Sequence, residues 1–294
     1  MSGNNCYNNQ GRLKRGINME RNKLKELLKE IKKNDFKVLE GINPFELSLE
    51  MMNYIGDLEG ELRDRLIFST ISNWIVNELK TDEVHQILDI SLDDKHLFYG
   101  LGEVNDTVFT RTFSSLIVAG SIYRHRSDKY LNKEELEEIF EKFIKYYNNE
   151  RDLRGYIKGN GWAHGAAHGA DVLDEFARCE EFGSKEMRKI LEAIYKKVNV
   201  DYYSYVDEED ERMITGVVAI LERNLLDELE IIDYIKRFKN VTRKGIQPED
   251  MTLQVNGRNF LRSLYFRIVD KPKYQNITDT TKNILDEISN FKNM

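Results

Sequence analysis

Asn132-Lys133-Glu134-Glu135-Leu136-Glu137-Glu138-Ile139-Phe140-Glu141-Lys142-Phe143-Ile144-Lys145-Tyr146-Tyr147 is the stretch that decides the fold class. Leu136, Ile139, Phe140, Phe143, Ile144 and Tyr147 recur at intervals of three and four, which aligns them on one face of an α-helix. Asn132 with Glu135 three residues later reads as a capping box, in which each side chain serves the other residue's backbone N–H. A helix therefore begins near Lys133, and its apolar stripe needs a partner.

The same signals recur in both directions. Leu24, Leu27, Leu28 and Ile31 form a stripe, and Pro44 after Asn43 suits a first helical turn, where its missing N–H costs nothing. Met52 and Ile55 extend that second helix. Leu62, Leu66, Ile75 and Leu79 mark another over Glu61 to Leu79, and Thr81 with Asp82 and Glu83 reads as the cap and acidic first turn of its hairpin mate. Thr107 is predicted to cap a helix carrying Phe109, Phe113, Leu116, Ile117 and Gly120, and Ser184 one carrying Met187, Ile190, Leu191, Ile194 and Val198. Further helices are expected from near Glu211, Glu228, Asn256 and Thr278. Asn256 to Phe260 reads as a turn into one of them, and Tyr202 to Val206 as a loop. All three prolines, Pro44, Pro248 and Pro272, fall at expected boundaries.

These readings predict an all-α protein: stacked helical hairpins, α-solenoid-like or an α/α-toroid, with an irregular bundle as the alternative. The organisation expected is a polar, disordered stretch over 1–18 and a single all-helical domain over 19–294. A hydrophobic fraction of 40% in 294 residues supplies a substantial core. Cys6 and Cys179 stand far apart, which excludes a disulfide framework and fits a reducing, cytoplasmic setting. No stretch reaches the roughly 18 unbroken apolar residues of a membrane span, and Met1 to Gly16 does not read as a secretory signal. A net charge of −7 disfavours a broad grip on nucleic acid, and the Lys-rich run from Arg12 to Lys33 reads as a solvated helix face. The partners that remain are a small molecule or another protein.

Chemistry concentrates in Gly159-Asn160-Gly161-Trp162-Ala163-His164-Gly165-Ala166-Ala167-His168-Gly169-Ala170-Asp171 and the following Val172 to Phe176. Read as one helix from about Gly161 to Cys179, this stretch puts His164, His168, Asp171 and Glu175 on one stripe, three or four residues apart. Ala163, Ala166, Ala170, Leu173 and Ala177 form a small-residue face for close packing, so the helix is expected to be central. Gly165→Val is then expected to destabilise the protein.

Three readings of the stripe stand. His164, His168 and Asp171 supply three ligands for a divalent metal such as zinc, leaving a position for water. The Gly after the first His departs from the zinc-protease pattern, whose general base is a Glu at that place. Alternatively, the same three act without metal as general acid and base. In the third reading the stripe is a hydrogen-bond network joining helices. Trp162, Arg111, Arg154 and Glu175 are candidate ligand-binding residues, the arginines because a guanidinium holds carboxylate or phosphate through paired hydrogen bonds. The acidic run Asp207 to Glu211 reads as a solvated helix start, and His85, His96 and Cys179 as packing or surface residues.

The Gly161 to Glu175 string resembles the hallmark of the Domain of Unknown Function 2785 family. Arg111-Thr112-Phe113-Ser114, the Glu150 to Tyr156 stretch, and Asn259-Phe260-Leu261-Arg262 through Phe266 are similar to it as well, so the resemblance spans roughly Asn43 to Asp270. It implies a helical, repeat-like bacterial protein and carries no reaction with it. The functional reading is a small-molecule-binding or catalytic protein with its pocket on the histidine helix, its rival a helical scaffold for another protein.

Overall fold

A computed structural model describes residues 19–241 and 243–289 of the chain. The disordered stretch expected over 1–18 lies outside them. The chain is all-α: twelve α-helices among the described residues, and two strands of two residues each. None of these helices is long and apolar enough to cross a membrane.

The described residues divide into two compact units, one running up to Ile139 and including Ile157–Ala163, the other made of Phe140–Tyr156 and the chain from His164 onward. In the first unit α1 (Arg21–Lys33) buries Leu24, Leu28 and Ile31. Asn43 caps α2 (Pro44–Met52), its side-chain oxygen accepting from Phe45 and Glu46 N–H at 3.0 and 3.2 Å, with Pro44 at the first turn as its sequence predicts. Glu61–Phe68 is wound as a π-helix that runs into α3 (Ser69–Asn77). Trp74 of α3 is fully buried, and its indole N–H donates to the Phe36 carbonyl at 2.7 Å, so the core gains the ring without stranding a donor. The core is completed by α4 (Thr81–Ser91) and α5 (Thr107–Asp128), which pack on each other.

Three caps differ from expectation, the first being Thr107, which opens α5 behind Asp106 instead of capping it. Thr81 is the first residue of α4 rather than its cap; the Glu83 carboxylate accepts from Lys80 N–H at 2.9 Å. Ser184 likewise opens α8 (Ser184–Val198) behind Gly183, whose N–H donates to Glu186 at 2.9 Å. In these last two, half a capping box works through the acidic third residue, so the helix starts one residue earlier than the hydroxyl suggests.

The capping box of α6 (Lys133–Asn149) forms in full, with Asn132 N–H to Glu135 and Glu135 N–H to Asn132 both at 2.9 Å. The second unit takes Phe140 onward from that helix. Phe140 meets Phe176 and Phe182 at centroid distances of 5.2 and 4.9 Å, and this aromatic cluster anchors α7 (Gly165–Ala177). That helix packs mainly on α9 (Glu209–Arg223); α9 in turn meets α11 (Glu249–Ile268), and α10 (Glu228–Lys236) meets α12 (Gln275–Ile288). Asn256, expected at a helix start, sits inside α11. It is buried, its amide donating to the Tyr203 carbonyl at 2.9 Å and its oxygen accepting from Tyr205 N–H at 3.1 Å. The polar pair Asn256-Gly257 reads locally as a turn, but Asn256 finds its partners in the Tyr202 to Val206 loop, so the helix continues through it.

Candidate functional site

The helix expected from Gly161 starts four residues later. Gly161 has φ +89°, and His164, the residue before the first helical one, is left-handed at φ 52°, ψ 42°. The bend sets His164 against the non-helical segment Glu150 to Gly155: its N–H donates to the Arg154 carbonyl at 2.9 Å, and its own carbonyl accepts from His168 N–H at 2.9 Å. A Cβ on Gly165 would stand 2.3 Å from the Asp152 carbonyl oxygen, so the first turn of α7 lies directly on that segment. His164 is thus not on the helical stripe. The bend still leaves its ring beside that of His168, with centroids 5.4 Å apart and planes at 58°.

Asp171 lies one turn beyond His168, and both its oxygens are taken by Arg212 of α9, through Nε at 2.6 Å and through Nη2. Burial nonetheless pushes the Asp171 carboxyl above its usual range, with Arg212 opposing. Among the described residues no group of three or more His, Cys, Asp or Glu side chains is placed to hold a metal ion. Glu175 is half-buried on α7, its carbonyl accepting from Cys179 Sγ at 3.4 Å.

Burial holds the His164 imidazole down to a pKa of about 4; the neighbouring Arg212 charge pushes the same way, and Asp207 opposes it. This ring is therefore neutral at pH 7. Asp207 is fixed by the segment opposite, where its carboxylate accepts from Tyr156 N–H at 3.1 Å against the bare backbone of Gly155. Gly155 N–H donates to the Tyr203 hydroxyl at 3.1 Å. The acidic run Asp207 to Glu211 leads into α9 as expected, with Glu208 exposed and Asp207, Asp210 and Glu211 partly so, and Glu209 alone turns fully inward. Glu209 is fully buried, one oxygen accepting from Asp207 N–H at 2.9 Å, and burial pushes its carboxyl up.

Arg154 grips Asp152 at 2.8 Å through Nε and 2.6 Å through Nη2, and Asp152 is fully buried. Arg111 and Trp162 belong to the other unit. Arg111 is buried and donates to the carbonyls of Tyr99 and Gly100 at 2.9 Å and to Thr107 Oγ1 at 2.6 Å, which ties the loop before α5 to the helix. Trp162 is more than one-third exposed.

Residue-by-residue reading missed Arg212, Asp207 and Lys197. The first two stand in or beside an acidic run that looks like an ordinary helix start. Lys197 sits on α8 among charged neighbours, yet it is buried, donates to the Glu150 carbonyl at 2.7 Å and lies 4.8 Å over the Tyr147 ring.

Burial depresses the Lys197 ammonium to about 8 against the pull of Glu150. In the unfolded chain a lysine keeps its proton up to about 10.4, so between these values the unfolded state binds more protons and stability rises with pH. The gain across that window is expected to be roughly 3 kcal/mol. Lys197→Met should lack it, as urea unfolding at pH 7.5 and 10 would show; equal slopes in the two proteins would mean that Lys197 titrates normally.

No curated protein and no solved structure matches the chain. A family model, described as a protein of unknown function (DUF2785), matches residues 97–266, a narrower span than the resemblance suggested but one that contains the whole of α7 and its polar surroundings, and the chain belongs to that family.

Proposed function

We propose that the second unit binds a polar small molecule at His164, with His168 beside it and the carboxylate-held guanidiniums of Arg212 and Arg154 as the fixed charges around it. The observation that carries this is His164 itself: a non-glycine residue in left-handed backbone, half-buried, and neutral among charged groups. Such backbone costs on the order of 1 kcal/mol or more and persists where the surroundings impose it, frequently at ligand sites. A pKa near 4 makes the ring a weak general base at neutral pH, so hydrogen bonding to a ligand fits better than proton abstraction. Asp171 then acts through Arg212, as a positioning residue. The scaffold alternative has no comparable observation in its favour.

His164→Gly tests the reading, because glycine adopts the same backbone at no steric cost. Stability is expected to stay within about 1 kcal/mol of wild type. Imidazole NMR should give a His164 titration midpoint near 4 in the wild type. A library of water-soluble carboxylates, phosphates, amines and sugars should yield compounds that shift the His164 signal and fail to bind the variant. Destabilisation by more than about 2 kcal/mol without any such ligand would support a purely structural histidine.

A further inference from the structure

On the far side of α8 the second unit carries a cleft of about 520 Å3 between α8 and α10. Its apolar lining comes from Leu191, Leu226 and Tyr234, all less than one-tenth exposed. Tyr234 is braced from behind by Tyr195 and Phe238, at centroid distances of 6.3 and 5.6 Å, so this wall is a fixed aromatic surface. The rim is charged but balanced, with three cationic and three anionic side chains. Arg188 holds Glu230 through two bonds of 2.6 and 3.0 Å, Arg237 holds Glu192 at 2.8 Å, Lys189 pairs with Glu141, and Asp233 pairs with Lys236 at 3.4 Å.

We propose that this cleft binds an uncharged, largely apolar small molecule containing a ring system. Two features select that class. With every rim charge already paired, an ionic ligand finds no charge unmet and has to displace a partner, whereas an apolar one covers the floor and the aliphatic stems of the arginines without disturbing them. The volume selects size: pockets of about 300–1,000 Å3 suit drug-sized molecules. One turn of a helix with its side chains fills about 400 Å3, so an amphipathic partner helix would seat barely more than a single turn. The inference is independent of the His164 reading, since no residue is shared.

The test is fluorescence titration of the full chain with two naphthalene probes, uncharged N-phenyl-1-naphthylamine and anionic 1-anilinonaphthalene-8-sulfonate. The uncharged probe is expected to bind at least tenfold more tightly. Leu226→Trp, which fills the cleft, should weaken it at least tenfold with circular dichroism unchanged; Asp233→Trp adds bulk from the exposed rim and serves if the first variant misfolds. Glu192→Gln with Glu230→Gln, which leaves two guanidiniums unpaired, should remove or reverse the preference. Equal affinity for both probes in the wild type, or uncharged-probe binding untouched by either tryptophan, would overturn the proposal. So would expulsion of the probe as the chain self-associates with rising concentration, which would make a second copy the occupant.

Discussion

Gly165→Ala is expected to destabilise the protein by about 3 kcal/mol, and Gly165→Val by more, because the added carbon has nowhere to go. It would meet the Asp152 carbonyl oxygen at 2.3 Å and the Glu150 side chain at 3.3 Å, and the first of these is backbone. Neither neighbour yields cheaply. Asp152 is fully buried in the grip of Arg154, and the Glu150 carbonyl holds the buried ammonium of Lys197. One turn on, Gly169 faces the same problem, since a Cβ there would stand 2.4 Å from two atoms of the Tyr147 ring. At roughly 2–4 °C per kcal/mol for a chain of this size, calorimetry should show melting lowered by about 6–12 °C. A fall of under 2 °C would mean that the Glu150 to Gly155 segment gives way, and that the bend at His164 is not imposed from outside.

Arg63→Met is the second large effect, in the first unit, with an expected loss of about 3 kcal/mol. The guanidinium is fully buried, donates to the Asp57 carbonyl at 2.5 Å and the Asn160 carbonyl at 2.6 Å, and lies 4.0 Å over the Phe109 ring. Burial lowers its pKa to about 10, which records a charge held by carbonyl dipoles and aromatic faces rather than by a bonded carboxylate. Methionine keeps the packing but leaves two part-buried carbonyls without their donor. Hydrogen exchange should locate the damage, with faster exchange at Asn160, whose N–H closes the turn onto the Ile157 carbonyl at 3.0 Å. Unchanged exchange there, together with a loss below 1 kcal/mol, would show that water replaces the guanidinium at no cost.

Much of the candidate site could be read in advance, because His164 and His168 are two of only five histidines and stand with Asp171 in a stretch otherwise small and apolar. Their spacing placed two of the three in geometry: His168 and Asp171, three residues apart, both lie on α7. The third misled, since His164 stands before the first helical residue and is itself left-handed at φ 52°, which turns its side chain off the stripe. Ring adjacency survived by another route. Arg212 was out of reach of any local rule: the bond to Asp171 spans 41 residues and exists because α9 packs on α7.

What the sequence determined by itself is the helical class and most helix positions, from Leu24 through the Asn132–Glu135 box to the stripe of α8. Such signals are local: intervals of three and four, and caps that act within one turn. Only the tertiary structure decided where α7 begins, that Asn256 lies inside a helix, and which charges are buried. Glu209, Asp152 and Lys197 look solvated in sequence because an isolated charge belongs in water. Lys197 goes inside because the Glu150 carbonyl, 47 residues away in sequence, accepts from its ammonium. Glu209 and Asp152 keep partners two residues off, the Asp207 N–H and the Arg154 guanidinium, and are buried by the packing around them, which no local pattern encodes.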